Sequence, residues 1–478
     1  MHTTRHPRFE SFLWLWLAVG LGGGELRAQN ANGEPVKIQV DPQAVVGRIA
    51  PDFLGFGYET SAVAQTNYFS ASNTTLVRLY RLLGAQGLIR IGGNISDHAR
   101  FEPEGVAQVR AERQVTVINR ADLTELAGFA RATGWRIMWG LNLGTGTAAG
   151  AAREAVAVAQ ALDGQLQSFE IGNEVDIHGG YTLHYTNFPG YYVNYLAYKS
   201  VIRTVWPAAV FSGPDSAGNL GWVREFGRAE APDIRFLTQH YYRTGARTPG
   251  ATIENLLQPD TAWAGKLRQL QELSRETGVP YRINEVNSFY GGGKVGVSDT
   301  FAAALWSLDY MFVLASSGGA GLNLETDINQ LGWISHYSPI IHDAARQCHV
   351  RPEYYGMLAF AQAGRGDLLQ VTVDKGDLNL TAYATRAEPG VIWLTVVNKD
   401  LVRDAEVSVT LPAGFARARA LRLTAPSVTS TNQVSLGGAE VSAAGEWRPG
   451  RLESVNVQAG VAEVLVNRAS AILLRMER

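Results

Sequence analysis

Two glutamates, each preceded by asparagine, are the residues best placed to do chemistry. One pair is Asn173-Glu174, in the run Ser168-Phe169-Glu170-Ile171-Gly172-Asn173-Glu174. The other is Asn284-Glu285, in Tyr281-Arg282-Ile283-Asn284-Glu285. Each pair closes a short apolar run, the pattern of a strand that ends at a loop. Two carboxylates facing one another across a cavity are the minimum equipment for cleaving a glycosidic bond. One, protonated, helps the leaving oxygen depart; the other, ionised, attacks the anomeric carbon. A gap of ~5–5.5 Å between them gives retention through a covalent intermediate, and ~6.5–9.5 Å admits a water and gives inversion. A lone glutamate is usually a surface or salt-bridge residue, but a matched pair at strand ends is not explained that way. Glu59, Glu325 and Asp327 also fall near strand ends as rival acids. Glu59 and Glu325 lack the Asn-Glu context.

The elements that position the pair can be read from alternation along the chain. Strand candidates are Phe53–Tyr58, Gly87–Ile91, Arg136–Leu141, Gln167–Ile171, Val210–Ser212, Ile234–Thr238, Tyr281–Ile283 and Gly321–Leu324. They are continuous and apolar, as strands buried on both faces should be. Helical patterns lie between them. Ala121–Thr133 carries Leu123, Leu126 and Phe129 on one stripe, and Trp263–Thr277 ends at Gly278 and Pro280. Asp299 is the expected N-cap of a helix through Ala315. Eight such units predict an α/β fold, a (β/α)8 TIM barrel over residues 51–364. A doubly wound sheet would show a Gly-rich dinucleotide loop after the first strand, which Gly55-Phe56-Gly57 does not complete. Strands four and seven lie across the barrel mouth from each other, so Glu174 and Glu285 can face. After Gly364 the texture becomes short, β-rich and broken by Gly, Pro and Asp, which predicts a C-terminal antiparallel β-sandwich over 365–478. Residues 29–50 form an N-terminal segment whose Val36–Val40 stretch is expected to add a strand to that domain.

With those residues in place the sequence resembles the clan of retaining glycosidases in which strand four supplies the acid/base and strand seven the nucleophile. In that clan the Asn before the acid/base, here Asn173, meets the sugar 2-hydroxyl. Finer features resemble glycoside hydrolase family 79, which holds β-glucuronidases and heparanases. The stretch Glu285-Val286-Asn287-Ser288-Phe289-Tyr290-Gly291-Gly292-Gly293 matches that family's nucleophile followed by a Gly-rich loop. The resemblance covers nearly the whole mature chain. It implies that Tyr290 and amides near Gly292 hold a uronic acid carboxylate, with Lys294 nearby. A run of glycines whose N–H groups turn inward makes an anion nest, which a neutral hexose would not need. The alternative is a flexible loop with a solvated lysine. Val295 after the lysine excludes a Walker phosphate loop. Related barrels place a tyrosine two after a strand-six histidine on the nucleophile, which points to Tyr242 in His240-Tyr241-Tyr242. Arg90 is expected to brace the nucleophile, Asn94 or Asp97 to touch sugar hydroxyls, Asn142 to floor the pocket, and Tyr337 to sit on a loop over it. His178 packs or shapes the loop after the acid/base.

Composition narrows the rest. Of 478 residues, 46% are hydrophobic and 18% charged, so a large core can form. The net charge of −2, with no basic run, sets nucleic acid aside as a partner. The 11 Trp, 18 Tyr and 17 Phe are mostly core, with some free to stack on sugar rings. Arg5 and Arg8, then the apolar run Phe12–Leu21 and Ala28, read as a signal peptide over 1–28 of a secreted or periplasmic protein. About ten apolar residues are too few to span a bilayer, which takes ~20. The single cysteine, Cys348, rules out an internal disulfide and a Cys-ligated zinc cluster. No cofactor motif, His-Glu-x-x-His stretch or nucleophile elbow is present. The expected function is retaining hydrolysis of terminal β-linked glucuronic acid, with a glucuronic-acid-containing carbohydrate as partner. Rival expectations are an endo-acting heparanase-like enzyme, a neutral-sugar glycosidase, or a non-catalytic carbohydrate-binding protein.

Overall fold

The computed structural model describes residues 34–105, 115–177, 185–328, 335–343, 345–450 and 452–478. The expected signal peptide and His178 lie outside the described residues. Eight parallel strands close into a barrel in strict chain order. They are Gly55–Glu59, Leu88–Gly92, Arg136–Leu141, Leu166–Ile171, Phe211–Ser216, Ile234–Gly245, Tyr281–Tyr290 and Leu322–Glu325, here called barrel strands one to eight. Helices follow the strands and bury their apolar stripes against the barrel. In the helix Arg120–Thr133, Leu123, Leu126 and Phe129 are buried. That helix starts with a capping box between Asn119 and Asp122 and stops at Gly134, whose φ of 83° is left-handed. The helix Thr261–Thr277 is capped by Asp260, which accepts the Trp263 amide, and stops at left-handed Gly278.

One cap differs from expectation. The helix Phe301–Ser316 begins after Thr300 with no side-chain cap bond. Asp299 instead accepts the Gly296 amide at 2.7 Å. It therefore ties the preceding loop turn, one residue too early to cap the helix.

Strands six and seven run well past the barrel mouth, as far as Gly245 and Tyr290. Their pairing aligns Glu285 with His240, Asn287 with Tyr242, and Tyr290 with Gly245, beyond an irregularity between Arg282 and Glu285. This extension carries the loop after Glu285 on a two-stranded ribbon.

Apart from two short strand pairs, Ala99–Phe101 with Thr116–Ile118 and Ile340–His342 with Cys348–Val350, the remaining strands form a second domain around a core of its own, which includes Ile38, Leu380, Leu394, Val407, Val464 and Leu474. The expected sandwich layers are joined into one curled eleven-stranded sheet. Val36–Ile49 pairs antiparallel with Gly366–Asp374 and parallel with Ala405–Thr410. The first and last parts of the described chain thus share one sheet. Among the described residues no helix is long and apolar enough to cross a membrane.

Candidate active site

Glu174 is presented by a strained turn. Strand four stops at Ile171, Gly172 takes a φ of 86°, and Glu174 itself sits at a φ of 47°. A Cβ at Gly172 would lie 2.9 Å from Leu143 and Val175, so only glycine fits there. A non-glycine residue in the left-handed region costs roughly 1 kcal/mol or more, and such residues cluster at functional sites. The turn is fixed by the Glu174 amide, which donates to the Asp215 carbonyl at 2.9 Å. Asp215 is left-handed as well, at a φ of 62°.

Beneath the glutamates lies a buried charged layer built from strands two, four, five, six and seven. Arg90 is fully buried and donates to Glu285 Oε2 at 2.7 Å, Asp215 Oδ2 at 2.7 Å and Asn173 Oδ1 at 2.5 Å. Its Nε reaches Glu170 at 3.4 Å. His240 bridges Asp215, at 2.7 Å from Nε2, and Glu174, at 3.1 Å from Nδ1. Asn284 donates to both Glu170 and Asp215. The Tyr242 hydroxyl donates to Glu285 Oε1 at 2.8 Å. Both oxygens of Glu285 are therefore held.

The charges in this layer can be counted. Burial opposes the charge on His240, but Glu285 and Asp215 outweigh it and hold the imidazole well above its usual range. Burial would also raise Asp215, yet Arg90 and His240 keep it well below the usual carboxylate range. Arg90 and His240, the two basic groups of the layer, thus face Asp215 and Glu285. Glu170 and Glu174 share these same two groups, Arg90 at 3.4 Å and His240 at 3.1 Å. Glu170 is pushed up to about 8 by burial and then by Asp215. Glu174 is raised by burial, against the pull of His240, with Glu285 adding to the rise. A Glu174 raised toward its protonated form, beside a Glu285 held on both oxygens, is the division of labour that acid-assisted nucleophilic displacement needs.

Oxygens of Glu174 and Glu285 and a ring nitrogen of His240 all lie within 4.8 Å of one another. These three are the group among the described residues close enough to share a cation.

The other expected site residues fall into two sets. Asn173 is at the site: Arg90 holds its oxygen, and its amide donates to Asn94 Oδ1 at 3.1 Å. Asn94 reaches the pocket through Asn173. Tyr290 ends strand seven, exposed, with its ring laid on Gly245 and edge-on to Tyr242. Gly291, Gly292 and Gly293 all have φ near 80°. Their loop is docked on the segment of Tyr337: the Gly292 carbonyl accepts the His336 amide at 2.6 Å, and a Cβ at Gly293 would lie 2.8 Å from the Tyr337 amide. Tyr337 is buried, its ring 6.1 Å from that of Tyr242. The side chain of Lys294 is exposed, and its amide donates to Ser298.

Two expectations are corrected. Asn142 does not floor the pocket. Its amide donates to Ala99 and Thr145, and its oxygen accepts the amides of Thr145 and Gly146, so its hydrogen bonds join its own loop to the segment after strand two. Asp97 likewise accepts the amides of Leu143, Gly144 and Asn173 and is buried, so it braces loops rather than meeting sugar. Residues that sequence reasoning missed are Glu170, Asp215 and the bridging role of His240. Asp215 follows Gly213-Pro214, which reads as a turn beyond strand five, although the strand continues to Ser216.

Residues 378–473 match the family model described as the glycosyl hydrolase family 79 C-terminal beta domain. A β-glucuronidase of Aspergillus niger is 26% identical over 399 residues, which cover 75% of this chain and 69% of that protein. A β-glucuronidase of Neurospora crassa is 23% identical over 375 residues, covering 68% and 66%. The chain thus spans about two thirds of the length of these curated relatives. Among solved structures, a 4-O-α-L-rhamnosyl-β-D-glucuronidase from Fusarium oxysporum superposes with a TM-score of 0.75 at 19% identity, covering 92% of this chain and 99% of that one. An α-L-arabinofuranosidase from Thermotoga maritima superposes at 0.72 with 17% identity, covering 93% and 100%. At such identities these two likenesses speak for the fold.

Proposed function

We propose, for a chain that belongs to glycoside hydrolase family 79, that it is a retaining β-glucuronidase acting on terminal β-linked glucuronic acid. The observation that carries the reading is the approach of Glu174 and Glu285 oxygens to within 4.8 Å. That gap belongs with the ~5–5.5 Å of retaining enzymes and is too small for the water of an inverting one. The two curated relatives are both named β-glucuronidase, which supports the sugar.

In the first step Glu285 attacks the anomeric carbon while Glu174 gives its proton to the departing oxygen. The aglycone leaves as an alcohol and the sugar stays as an ester on Glu285. In the second step Glu174, now ionised, takes a proton from water, which attacks the anomeric carbon and frees Glu285. Tyr242 and Arg90 position the nucleophile. Asn173 orients the sugar. Tyr290, the amides near Gly292 and the ammonium of Lys294 receive the uronate carboxylate, with Tyr337 closing that side. The protein is exported, as the sequence before Ala28 indicates.

The test is proton NMR of the first product released from an aryl β-glucuronide. The β-anomer should appear first and mutarotate later. Initial release of the α-anomer would overturn the double displacement. Glu285→Ala should lower kcat by about 10⁴-fold or more with the fold intact, because the ester cannot form. Full residual activity would remove Glu285 from its role.

A further inference from the structure

Strand eight carries a second acid that the reaction above leaves unused. Residues two apart on a barrel strand face the same way. Asn323 faces inward, where it bonds the carbonyls of Phe56 and Leu88 and accepts from Arg282. Glu325 therefore faces inward one layer higher, at the mouth. Strand one makes room for both residues. A Cβ on Gly55 would lie 2.5 Å from Asn323 Nδ2, and one on Gly57 would lie 2.4 Å from Glu325 Oε2. The side-chain space given up at Gly57 is thus filled by the Glu325 carboxyl.

Glu325 is 4% exposed, and its Oε2 is buried with no hydrogen-bond partner among the described residues. Glu285 on strand seven, Glu59 on strand one, Arg90 on strand two and Asp327 beyond strand eight all act on it electrostatically. Tyr242 and Tyr337 stand close enough to feel its charge. Arg90 is the cation of this set, and it is already shared among Glu285, Asp215, Glu170 and Asn173. Burial and then Glu285 push Glu325 well above the usual carboxylate range. Held toward its neutral form, the carboxyl has one O–H to give and a carbonyl oxygen to receive. Oε2 is shut against Gly57 of strand one, and no hydrogen bond holds Oε1 among the described residues, so Oε1 is the oxygen open to what fills the pocket.

We propose that Glu325 is a specificity residue whose carboxyl hydrogen-bonds a ring hydroxyl of the sugar seated against Glu285. This rests on the glucuronidase reading. A neutral acid suits the place because it can both donate to and accept from a hydroxyl. It also adds no negative charge near a uronate. Glu59 is already committed, its oxygens accepting the amides of Asn94 and Ile95.

The experiment is a cycle of kcat/KM values for the full chain. It sets Glu325→Met and Glu325→Gln against an aryl β-glucuronide and its monodeoxy analogues. Methionine keeps the bulk without the hydrogen bond, and glutamine restores a donor and an acceptor. Glu325→Met should lower kcat/KM by about tenfold or more, while Glu325→Gln should recover most of the loss. One monodeoxy substrate should cost wild type a similar factor and cost Glu325→Met nothing further. If every monodeoxy penalty carries unchanged into Glu325→Met, or glutamine falls as far as methionine, the proposal is wrong. Glu325→Ala replaces the methionine variant should that one fail to fold. If wild type cleaves a neutral β-glycoside in place of the glucuronide, the parent reading fails instead. The same cycle with that sugar's monodeoxy forms then still decides the role of Glu325.

Discussion

At the scale of single residues, the site works by scarcity of positive charge. Arg90 and His240 can satisfy two carboxylates, and Asp215 and Glu285 take both of them. Burial, and then the nearby Glu285, raise the Glu174 carboxyl above its usual range, although His240 Nδ1 pulls the other way from 3.1 Å. The direction of that pull gives a prediction. His240→Gln removes a charge that lowers the Glu174 pKa, so the alkaline limb of kcat/KM should move to higher pH. In wild type that limb should already lie above the ordinary glutamate value of ~4.3. A pH profile in which the limb stays still or moves down would remove His240 from this role. Glu174 and Glu285 were legible in the sequence because an Asn-Glu step at a strand end is a local pattern. Asp215 and the His240 bridge were not. Their meaning lies in who faces whom across the barrel, and no local pattern encodes that.

At the scale of elements, all eight barrel strands were legible, because strands buried on both faces are apolar throughout. Their ends were less so. Strand seven looked finished at Ile283, since Asn284, Asn287 and Ser288 break the apolar run, yet the strand continues to Tyr290. Those polar residues are buried and bonded, Asn287 to Glu325, Tyr337 and Glu353. Gly55-Phe56-Gly57 looked like half of a nucleotide loop; its glycines yield space to Asn323 and Glu325. The contact between the helix Phe301–Ser316 and the C-terminal sheet was invisible in sequence. Asp309 accepts from Thr381 at 2.5 Å and Tyr383 at 2.8 Å and pairs with Lys399, which is almost wholly buried. Asp309→Ala would leave that ammonium buried and unpaired, at a cost of about 3–5 kcal/mol. The expected result is a clear drop in the urea midpoint, with a smaller drop for Asp309→Asn, which keeps acceptor oxygen for the hydroxyls. An unchanged midpoint for Asp309→Ala would mean the pair contributes nothing.

At the scale of the whole molecule, a barrel aims two glutamates across its mouth and a curled sheet packs behind its helices. The sheet is tied to the barrel on both sides of the sequence, through Val36–Ile49 and the strands after Gly366. Rigid placement of this kind suits a reaction whose geometry must hold to a fraction of an ångström. The side proposed to hold the uronate is carried by the ribbon of strands six and seven, which ends in Tyr290 and three left-handed glycines. The most direct test of the account is kcat/KM for an aryl β-D-glucuronide beside the matching aryl β-D-glucoside, with purified mature protein. The proposed carboxylate contacts predict that the glucuronide is favoured by at least about 100-fold, since bonds from a tyrosine hydroxyl, backbone amides and an ammonium to an anion are gained only when the anion is present. Equal cleavage of the two sugars would keep the glutamate pair and contradict the uronate site, and cleavage of neither would contradict the account as a whole.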